Sequence, residues 1–265
     1  SFQTAEKLYF ILDYVNGGEL FFHLQKEGTF SEARTKFYAA EIGDALGYLH
    51  SMNIIYRDLK PENLLLDSEG HIMMTDFGLA KDISLAEGKA KTFCGTPEYM
   101  APEIILKQPY DKTVDWWSYG CVIYEMLNGL PPFFHSDTSE MYENIVKKEL
   151  KFTVQCSLSS KGFIQALLKK KNTERLGYGP GNWNDIKQHP FLRGIQWEDL
   201  HNRKIKPPFV PNVSSELDLR NIDPEFSSQE ITESIMCNKE NPFADNQEKE
   251  NPFVGFTYVQ EKELD

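Results

Sequence analysis

The first part of the chain alternates short apolar runs with stretches in which apolar residues recur every three or four positions. The run from Leu8 to Tyr14 predicts a strand, which Gly17 and Gly18 interrupt. Ser31 is a typical N-cap residue and predicts the start of a long helix. The apolar residues of that helix keep one face and indicate core packing: Ala39, Ile42, Leu46 and Leu49.

Three short apolar runs follow, at Ile54–Ile55, Leu64–Leu66 and Ile72–Met74, and each is typical of a strand. Asp67–Gly70 has the composition of a turn, so the last two strands are expected to form a hairpin. Polar residues between the first two runs would then lie on a loop held by rigid strands, as a preorganised site requires.

The segment from Val114 to Leu127 is apolar on nearly every side, which predicts a buried central helix. Asp115 near its start would be costly in such a place unless it is paired. Two more helices are predicted at Thr138–Lys148 and Lys161–Lys170. The compact region is expected to end near Phe191.

Beyond Phe191 the chain is polar, acidic and punctuated by proline, which predicts a tail that wraps a surface and has no core of its own. We therefore expect one domain over residues 1–191 and a tail over residues 192–265. Within the tail, Lys239–Phe243 recurs as Lys249–Phe253. A local duplication is the simplest interpretation, and the alternative is that the two copies present two similar docking aromatics.

Composition narrows the class of function. The 265 residues are 40% hydrophobic, which suits one large core and an appendage. The net charge of -12 and the pI near 5.0 argue against a nucleic-acid partner or an anionic membrane, both of which favour basic surfaces. An acidic groove suits basic peptide substrates instead.

The cysteines and the apolar runs indicate the cellular compartment in which the protein is expected. The four cysteines are widely spaced and form no Cys-x-x-Cys pair, so neither a disulfide framework nor a zinc site is indicated. The apolar runs are too short to span a bilayer, and the first residues do not read as a signal peptide. The expected location is the reducing cytosol, with the nucleus as the alternative.

Three sequence strings supply the groups that phosphoryl transfer needs: YRDLKPEN at Tyr56–Asn63, DFG at Asp76–Gly78 and APE at Ala101–Glu103. Transfer requires a carboxylate to orient the attacking hydroxyl, a cation to hold the phosphate, and oxygen ligands for magnesium. The residues that fit these roles, in that order, are Asp58, Lys60, and the pair Asn63 and Asp76.

The strings resemble those of protein kinases, and four features resemble the AGC group of serine/threonine kinases. They are Tyr56 before Arg-Asp, the segment Thr92–Tyr99, the pair Trp116–Trp117 and the ending Phe253–Tyr258. The likeness is greatest to the serum- and glucocorticoid-regulated kinases, with the Akt and ribosomal S6 kinases next. It implies an α+β, kinase-like fold, mainly the helical C-terminal lobe with short hairpins, followed by the group's C-terminal tail. It also implies a non-specific serine/threonine protein kinase that uses ATP and Mg²⁺.

Kinases of this group place a glycine-rich loop and a strand lysine ahead of the segment that Leu8–Tyr14 resembles, and neither occurs there. By this resemblance the chain is a kinase with most of its N-terminal lobe missing, and it is expected to be inactive alone. The alternative is a non-catalytic truncated kinase that acts as a binding or regulatory module. The intact catalytic residues favour the first interpretation.

The resemblance also assigns the adenine end of an ATP site. Leu12 would be the gatekeeper, and the backbones of Asp13 and Val15 would hydrogen-bond to adenine. Leu65 would form the floor and Thr75 would line the same pocket. Simple core packing is the alternative for Leu12 and Leu65, and a strand-end Thr needs no such role.

Further roles concern the activation segment, which runs from the DFG string to the APE string. Glu103 and Arg175 would form an ion pair that anchors its end, and Asp115 would cap the backbone around Arg57. Thr96 would hydrogen-bond beside the catalytic Asp-Lys pair, which fits the use of Ser and Thr acceptors.

Two threonines resemble regulatory phosphosites. Phosphate on Thr92 would pair with Arg57 and order the activation segment. Thr257 would be the second site, with Phe253 and Phe256 docking into the small lobe. The implied partners are upstream activating kinases of the phosphoinositide-dependent type.

Three glutamates, Glu19, Glu62 and Glu125, occupy positions that receive arginines before the acceptor residue in the family. They imply protein substrates with a basic sequence of the form Arg-x-Arg-x-x-Ser/Thr. A solvated surface carboxylate is the alternative for each glutamate alone, and the acidic character of the chain favours the first interpretation.

Overall fold

The computed structural model describes residues 1–3, 8–85, 88–228 and 256, which have an α+β architecture dominated by helices. The chain divides into two compact units. The smaller unit combines residues 1–14 with residues 224–265, and the larger unit spans residues 15–223.

In the smaller unit, strand β1 (Phe2–Gln3) pairs antiparallel with β2 (Leu8–Tyr9). The predicted strand from Leu8 to Tyr14 is therefore shorter than expected, because β1 offers only two residues for pairing. The ring of Phe256 meets the ring of Phe10 edge-on at 5.2 Å between centroids. Thr257 and Phe253 lie outside the described residues.

The larger unit contains most of the helices and two strand pairs. Its strands are β3 (Ile54–Ile55), β4 (Leu64–Leu66), β5 (Ile72–Met74) and β6 (Lys81–Asp82). Its helices are α1 (Leu20–Glu27), α2 (Glu32–Ser51), α3 (Pro102–Ile105), α4 (Thr113–Asn128), α5 (Thr138–Lys147), α6 (Leu158–Leu167), α7 (Trp183–Lys187) and α8 (Trp197–His201). A short helix α9 (Pro224–Ser227) belongs to the smaller unit.

Helix α4 lies at the centre of the larger unit and packs against α2 and α6. Three of its aromatic residues, Trp116, Trp117 and Tyr119, have no exposed side-chain surface. A Cβ at Gly120 would lie 2.9 Å from the Cβ of Leu167, so the glycine lets α4 and α6 approach closely. The predicted buried central helix is confirmed.

The hairpin of β4 and β5 is confirmed, with Leu64 opposite Met74 and Leu66 opposite Ile72. The carboxylate of Asp67 accepts hydrogen bonds from the backbone N–H groups of residues 69 and 71 and so fixes the turn. Strand β6 was not predicted. It is only two polar residues long, and its pairing with β3 is a contact between distant parts of the chain.

Helix α6 begins three residues before its predicted start, because the side chain of Ser157 accepts a hydrogen bond from the backbone N–H of Ser160 and caps it. It also ends earlier than predicted. Lys170 lies beyond the helix, with its Nζ 3.5 Å from the centre of the Phe133 ring and donating to the backbone oxygen of Ile145 (2.6 Å).

Residues 192–223 of the predicted tail belong to the larger unit. The amide of Asn16 donates to the backbone oxygens of Ser215 and Glu216. The guanidinium of Arg34 lies 3.7 Å from the ring centre of Phe30 and 3.9 Å from that of Phe209. These contacts hold residues 215 and 216 against the loop before α1, and Phe209 against the first turn of α2. The domain boundary after residue 191 stays a prediction.

Candidate active site

The loop between β3 and β4 is fixed by one buried carboxylate. Asp115 at the start of α4 accepts hydrogen bonds from the backbone N–H groups of Tyr56 (2.9 Å) and Arg57 (2.8 Å). Its Oδ2 also lies 2.7 Å from the Nε2 of His50. Arg57 has a φ of 72°, a conformation that costs energy in a residue with a side chain. The contacts of Asp115 offset this cost and hold the next residues in place.

Asp58 follows on this loop and has both carboxylate oxygens engaged. Its Oδ1 accepts a hydrogen bond from the hydroxyl of Thr96 (2.6 Å). Its Oδ2 accepts one from the amide of Asn63 (3.2 Å) and lies 3.3 Å from the Nζ of Lys60. Lys60 also donates to the Thr96 hydroxyl (3.1 Å). The structure therefore brings Asp58, Lys60, Asn63 and Thr96 into one cluster, with Asp58 only 8% exposed.

Asn63 and Asp76 provide oxygen donors that suit Mg²⁺. The Nδ2 of Asn63 donates to two oxygens of Asp58, which leaves its Oδ1 as an acceptor. Asp76 is exposed and accepts one hydrogen bond, from the backbone N–H of Gly78 (3.0 Å). Within the described ranges, no three His, Cys, Asp or Glu residues are grouped to hold a metal ion. Mg²⁺ commonly takes one or two protein ligands together with substrate phosphates, so this donor set fits it.

The residues assigned to adenine binding fall into both units. Leu65 on β4 is half-buried and Thr75, just after β5, donates to the backbone oxygen of Asn63 (3.3 Å). Val15 is half-buried at the start of the larger unit. The remaining two, Leu12 and Asp13, are exposed residues of the smaller unit. Their roles stay predictions.

Two of the three glutamates lie near Lys60. Burial raises the pKa of both Glu19 and Glu62, and the carboxylates of Glu62 and Asp223 raise the pKa of Glu19 further. The positive charge of Lys60 acts in the opposite direction on both. Mutual repulsion among these carboxylates makes the region attractive to a cation. Asp223 was not predicted to belong to it, because it is distant in sequence and lies within the predicted tail, at the last position of the larger unit.

Glu125 differs from the other two because it is a residue of α4 and only 4% exposed. Its Oε2 accepts a hydrogen bond from the hydroxyl of Tyr99 (2.6 Å). Burial raises its pKa to about 7. The sequence did not reveal this burial, and binding of an arginine at Glu125 stays a prediction.

The raised pKa of Glu125 gives a testable pH dependence. The folded state favours the protonated carboxyl, so this contribution to stability is present below the unfolded pKa near 4.5 and is lost as the pH rises through about 7. We expect Glu125→Gln to gain stability relative to the parent protein between pH 5 and pH 8, by up to about 3 kcal/mol. Urea unfolding at both pH values measures the difference. Glu69→Gln, at the exposed hairpin turn, is the control, and a difference that does not change with pH would contradict the expectation.

The activation segment carries Thr92 on its exposed part. Arg57 donates from Nε to the backbone oxygen of Leu79 (2.6 Å). Among the described residues, Arg57 takes part in no ion pair with a carboxylate within 4.0 Å. Its positive charge is therefore not neutralised by a neighbouring Asp or Glu of that part of the chain.

A buried ion pair lies at the end of this segment, where Glu103 is the last residue of the APE string. Both oxygens of Glu103 accept hydrogen bonds from Arg175, at 2.7 and 2.9 Å. Arg175 also donates to the backbone oxygen of Thr113 (2.9 Å). Both side chains are almost completely buried. The pair thus joins α3 to α4 and to the segment after α6.

None of the helices in the described part of the chain combines the length and the apolar character that a membrane crossing requires.

The sequence matches two protein families and is similar to known kinases. Residues 1–192 match the family described as protein kinase domain, and residues 213–258 match the family described as protein kinase C terminal domain. The chain is 55% identical over 261 residues to the serine/threonine-protein kinase Sgk1 of Homo sapiens and 54% identical over 261 residues to that of Danio rerio. Both alignments cover 98% of this chain and 60% of the relative. The chain thus spans about 60% of the length of these curated relatives. It belongs to the protein kinase family and, within that family, to the AGC group of serine/threonine kinases.

Proposed function

We propose that the chain is the catalytic lobe and tail of a kinase that transfers the γ-phosphoryl group of ATP to Ser or Thr in basic protein segments. The observation that carries this proposal is the cluster around Asp58, in which Thr96, Asn63 and Lys60 orient both carboxylate oxygens. Such preorganisation lets a carboxylate receive a proton without rearranging during the reaction. The proposed place of action is the cytosol or the nucleus.

In this mechanism Asp58 orients the acceptor hydroxyl and takes its proton. Lys60 lies 3.3 Å from Asp58 and supplies a positive charge for the phosphoryl group as it transfers. Asn63 and Asp76 would hold Mg²⁺, which neutralises negative charge on the phosphate oxygens when it is bound. Thr96 links the base to the lysine and keeps the two at a fixed separation.

ATP is the phosphoryl donor, and its adenine end is proposed to meet Leu12, Asp13, Val15, Leu65 and Thr75. The 265 residues contain no glycine-rich loop of the form Gly-x-Gly-x-x-Gly to cover the phosphates. Positioning of both reactants supplies much of the rate of such transfers. We therefore propose that these residues alone do not transfer phosphate, whereas the full-length protein does.

The acceptor sequence is proposed to carry arginines because Glu19 and Glu62 place negative charge near Lys60 and Asp58. The neutralisation of two crowded carboxylates by guanidinium groups relieves their repulsion. Glu125 would contribute once it is ionised, which its burial opposes.

Regulation is proposed to act through Thr92 and Thr257, both phosphorylated by upstream kinases of the phosphoinositide-dependent type. Phosphate on Thr92 would pair with Arg57. Among the described residues, the guanidinium of Arg57 forms no ion pair with a carboxylate. Phosphate on Thr257 would strengthen the docking of the tail aromatics, one of which, Phe256, contacts Phe10.

The test is a peptide assay with the full-length protein and with the 265-residue chain. We expect the full-length protein to phosphorylate a peptide with two arginines before the acceptor, and Glu19→Gln and Glu62→Gln each to raise KM tenfold or more. The loss of one charge-assisted contact, roughly 1.5 to 3 kcal/mol, accounts for that factor.

Glu69→Gln removes an equal charge at the hairpin turn and should leave KM unchanged. A parent enzyme with no preference for arginine would refute the basic-substrate proposal. A full-length protein that phosphorylates no peptide would favour the non-catalytic binding module instead.

A further inference from the structure

Tyr110, between α3 and α4, joins the catalytic loop to the activation segment through its hydroxyl. The group donates to the backbone oxygen of Thr92 (2.8 Å) and accepts a hydrogen bond from Nη1 of Arg57 (3.2 Å). The Sγ of Cys94 lies 3.9 Å from the same oxygen. Tyr110 is only 1% exposed, so water does not compete strongly for these contacts.

The backbone of Tyr110 adds a second attachment. Its N–H donates to the backbone oxygen of Ala90 (2.9 Å), and the N–H of Ala90 donates to the backbone oxygen of Tyr110 (2.7 Å). Tyr110 therefore holds the main chain of the activation segment at two points, Ala90 and Thr92. Thr92 itself remains exposed to solvent, where an enzyme could reach it.

The protonation of Tyr110 decides the direction of these hydrogen bonds. Burial raises the pKa of Tyr110, so its hydroxyl keeps its proton at neutral pH and can donate to the Thr92 carbonyl. Arg57 then donates to the hydroxyl oxygen through Nη1, while its Nε donates to Leu79. Among the described residues, no hydrogen bond from Nη2 of Arg57 is present, so donors of its guanidinium remain for a phosphate.

We propose that Tyr110 is a positioning residue that holds Thr92 beside Arg57 before Thr92 carries a phosphate. This rests on the proposed function, in which Thr92 is a regulatory phosphosite. A phosphate makes its own charge-assisted bonds to Arg57 and so duplicates the link that the hydroxyl provides. The contribution of Tyr110 is therefore large in the unphosphorylated enzyme and small in the phosphorylated one.

The test compares Tyr110→Phe with the parent in the full-length protein, with Thr92 unphosphorylated and fully phosphorylated. Removal of one hydrogen-bonding hydroxyl should lower kcat of the unphosphorylated form about five- to tenfold. The phosphorylated form should stay within about twofold of its parent, with KM for ATP unchanged in both forms. Equal losses of kcat in the two forms, or no loss in either, would overturn the proposal.

Tyr119→Phe is the matched control. Tyr119 is also fully buried and donates to a backbone oxygen, that of Ala39 (2.7 Å), but it lies on the face of α4 that meets α2. The Tyr119→Phe variant loses the same type of hydrogen bond, but that bond does not involve the activation segment. We expect its two phosphorylation states to respond alike. A dependence on phosphorylation equal to that of Tyr110→Phe would count against a specific role for Tyr110.

Hydrogen exchange gives a readout that does not need activity. In the full-length protein, the amides of residues 88–94 should exchange about tenfold faster in Tyr110→Phe than in the parent or in Tyr119→Phe. Faster exchange confined to those residues supports the proposal. Unchanged exchange there, or exchange raised throughout α4, overturns it. If the parent transfers no phosphate to any peptide, the proposed kinase function fails, and the exchange result still decides the role of Tyr110.

Discussion

Asp58→Asn should lower kcat of the full-length protein roughly 10²- to 10⁴-fold, the range expected for loss of a general base. The amide has nearly the shape of the carboxylate but cannot take the proton of the acceptor hydroxyl. It also removes the negative charge that faces Lys60 at 3.3 Å. Steady-state kinetics with an arginine-containing peptide measures the loss, and KM for the peptide should change little.

The control for this variant is Asp82→Asn, which removes a carboxylate at an exposed position of β6. It should retain the parent kcat. If Asp58→Asn keeps more than about a tenth of the parent kcat, the assignment of the base is wrong.

Asp76→Ala removes a ligand proposed for Mg²⁺. It should abolish turnover in the same kinetic measurement and leave the fold intact.

The largest effect on stability is expected from Arg175→Met. This change leaves the carboxylate of Glu103 buried without its partner, and broken buried ion pairs typically cost about 3 to 5 kcal/mol. It also removes a donor from the backbone oxygen of Thr113. For a protein of this size the melting temperature should fall by roughly 10 °C. Thermal and urea unfolding of the chain measure both quantities.

Two further variants isolate the cause. Lys147→Met breaks the exposed pair of Lys147 with Glu143 and should change stability little, because exposed ion pairs contribute weakly. Arg175→Met combined with Glu103→Leu removes both buried charges and should recover a large part of the loss. If the double variant is no more stable than Arg175→Met alone, an uncompensated buried charge is not the reason for the instability.

The sequence predicted those parts of the fold that local patterns determine. Helix α4 and the hairpin of β4 and β5 were found because an apolar helix and a turn sequence are visible within a few residues. The apolar pattern predicts the start of α6 too late, since the capping by Ser157 outweighs the weak apolar signal of the next residues. The strand β6 depends on pairing with β3, and no local pattern marks it.

In the candidate site, too, the sequence predicts what residue type and order determine, and it does not predict contacts between distant residues. The order of the three strings along the chain was sufficient to nominate Asp58 and its neighbours, because their chemistry follows from residue type. The burial of Glu125 against Tyr99 and the link made by Tyr110 could not be predicted, since each joins residues distant in the sequence. The effect of Asp223 on Glu19 could not be predicted for the same reason. Residue type therefore predicts the reacting groups, and tertiary packing decides how they are tuned.

Two glycines face the backbone of the tail segment at very short range. A Cβ at Gly18 would lie 2.4 Å from the backbone oxygen of Asn221, and a Cβ at Gly70 would lie 2.1 Å from that of Phe209. Both glycines also have positive φ values, which disfavour other residues. A side chain at either glycine would therefore force the tail segment at Phe209 or Asn221 away from the lobe. A chimera that joined this lobe to the tail of a distant kinase would need a tail that follows the same backbone course past both glycines.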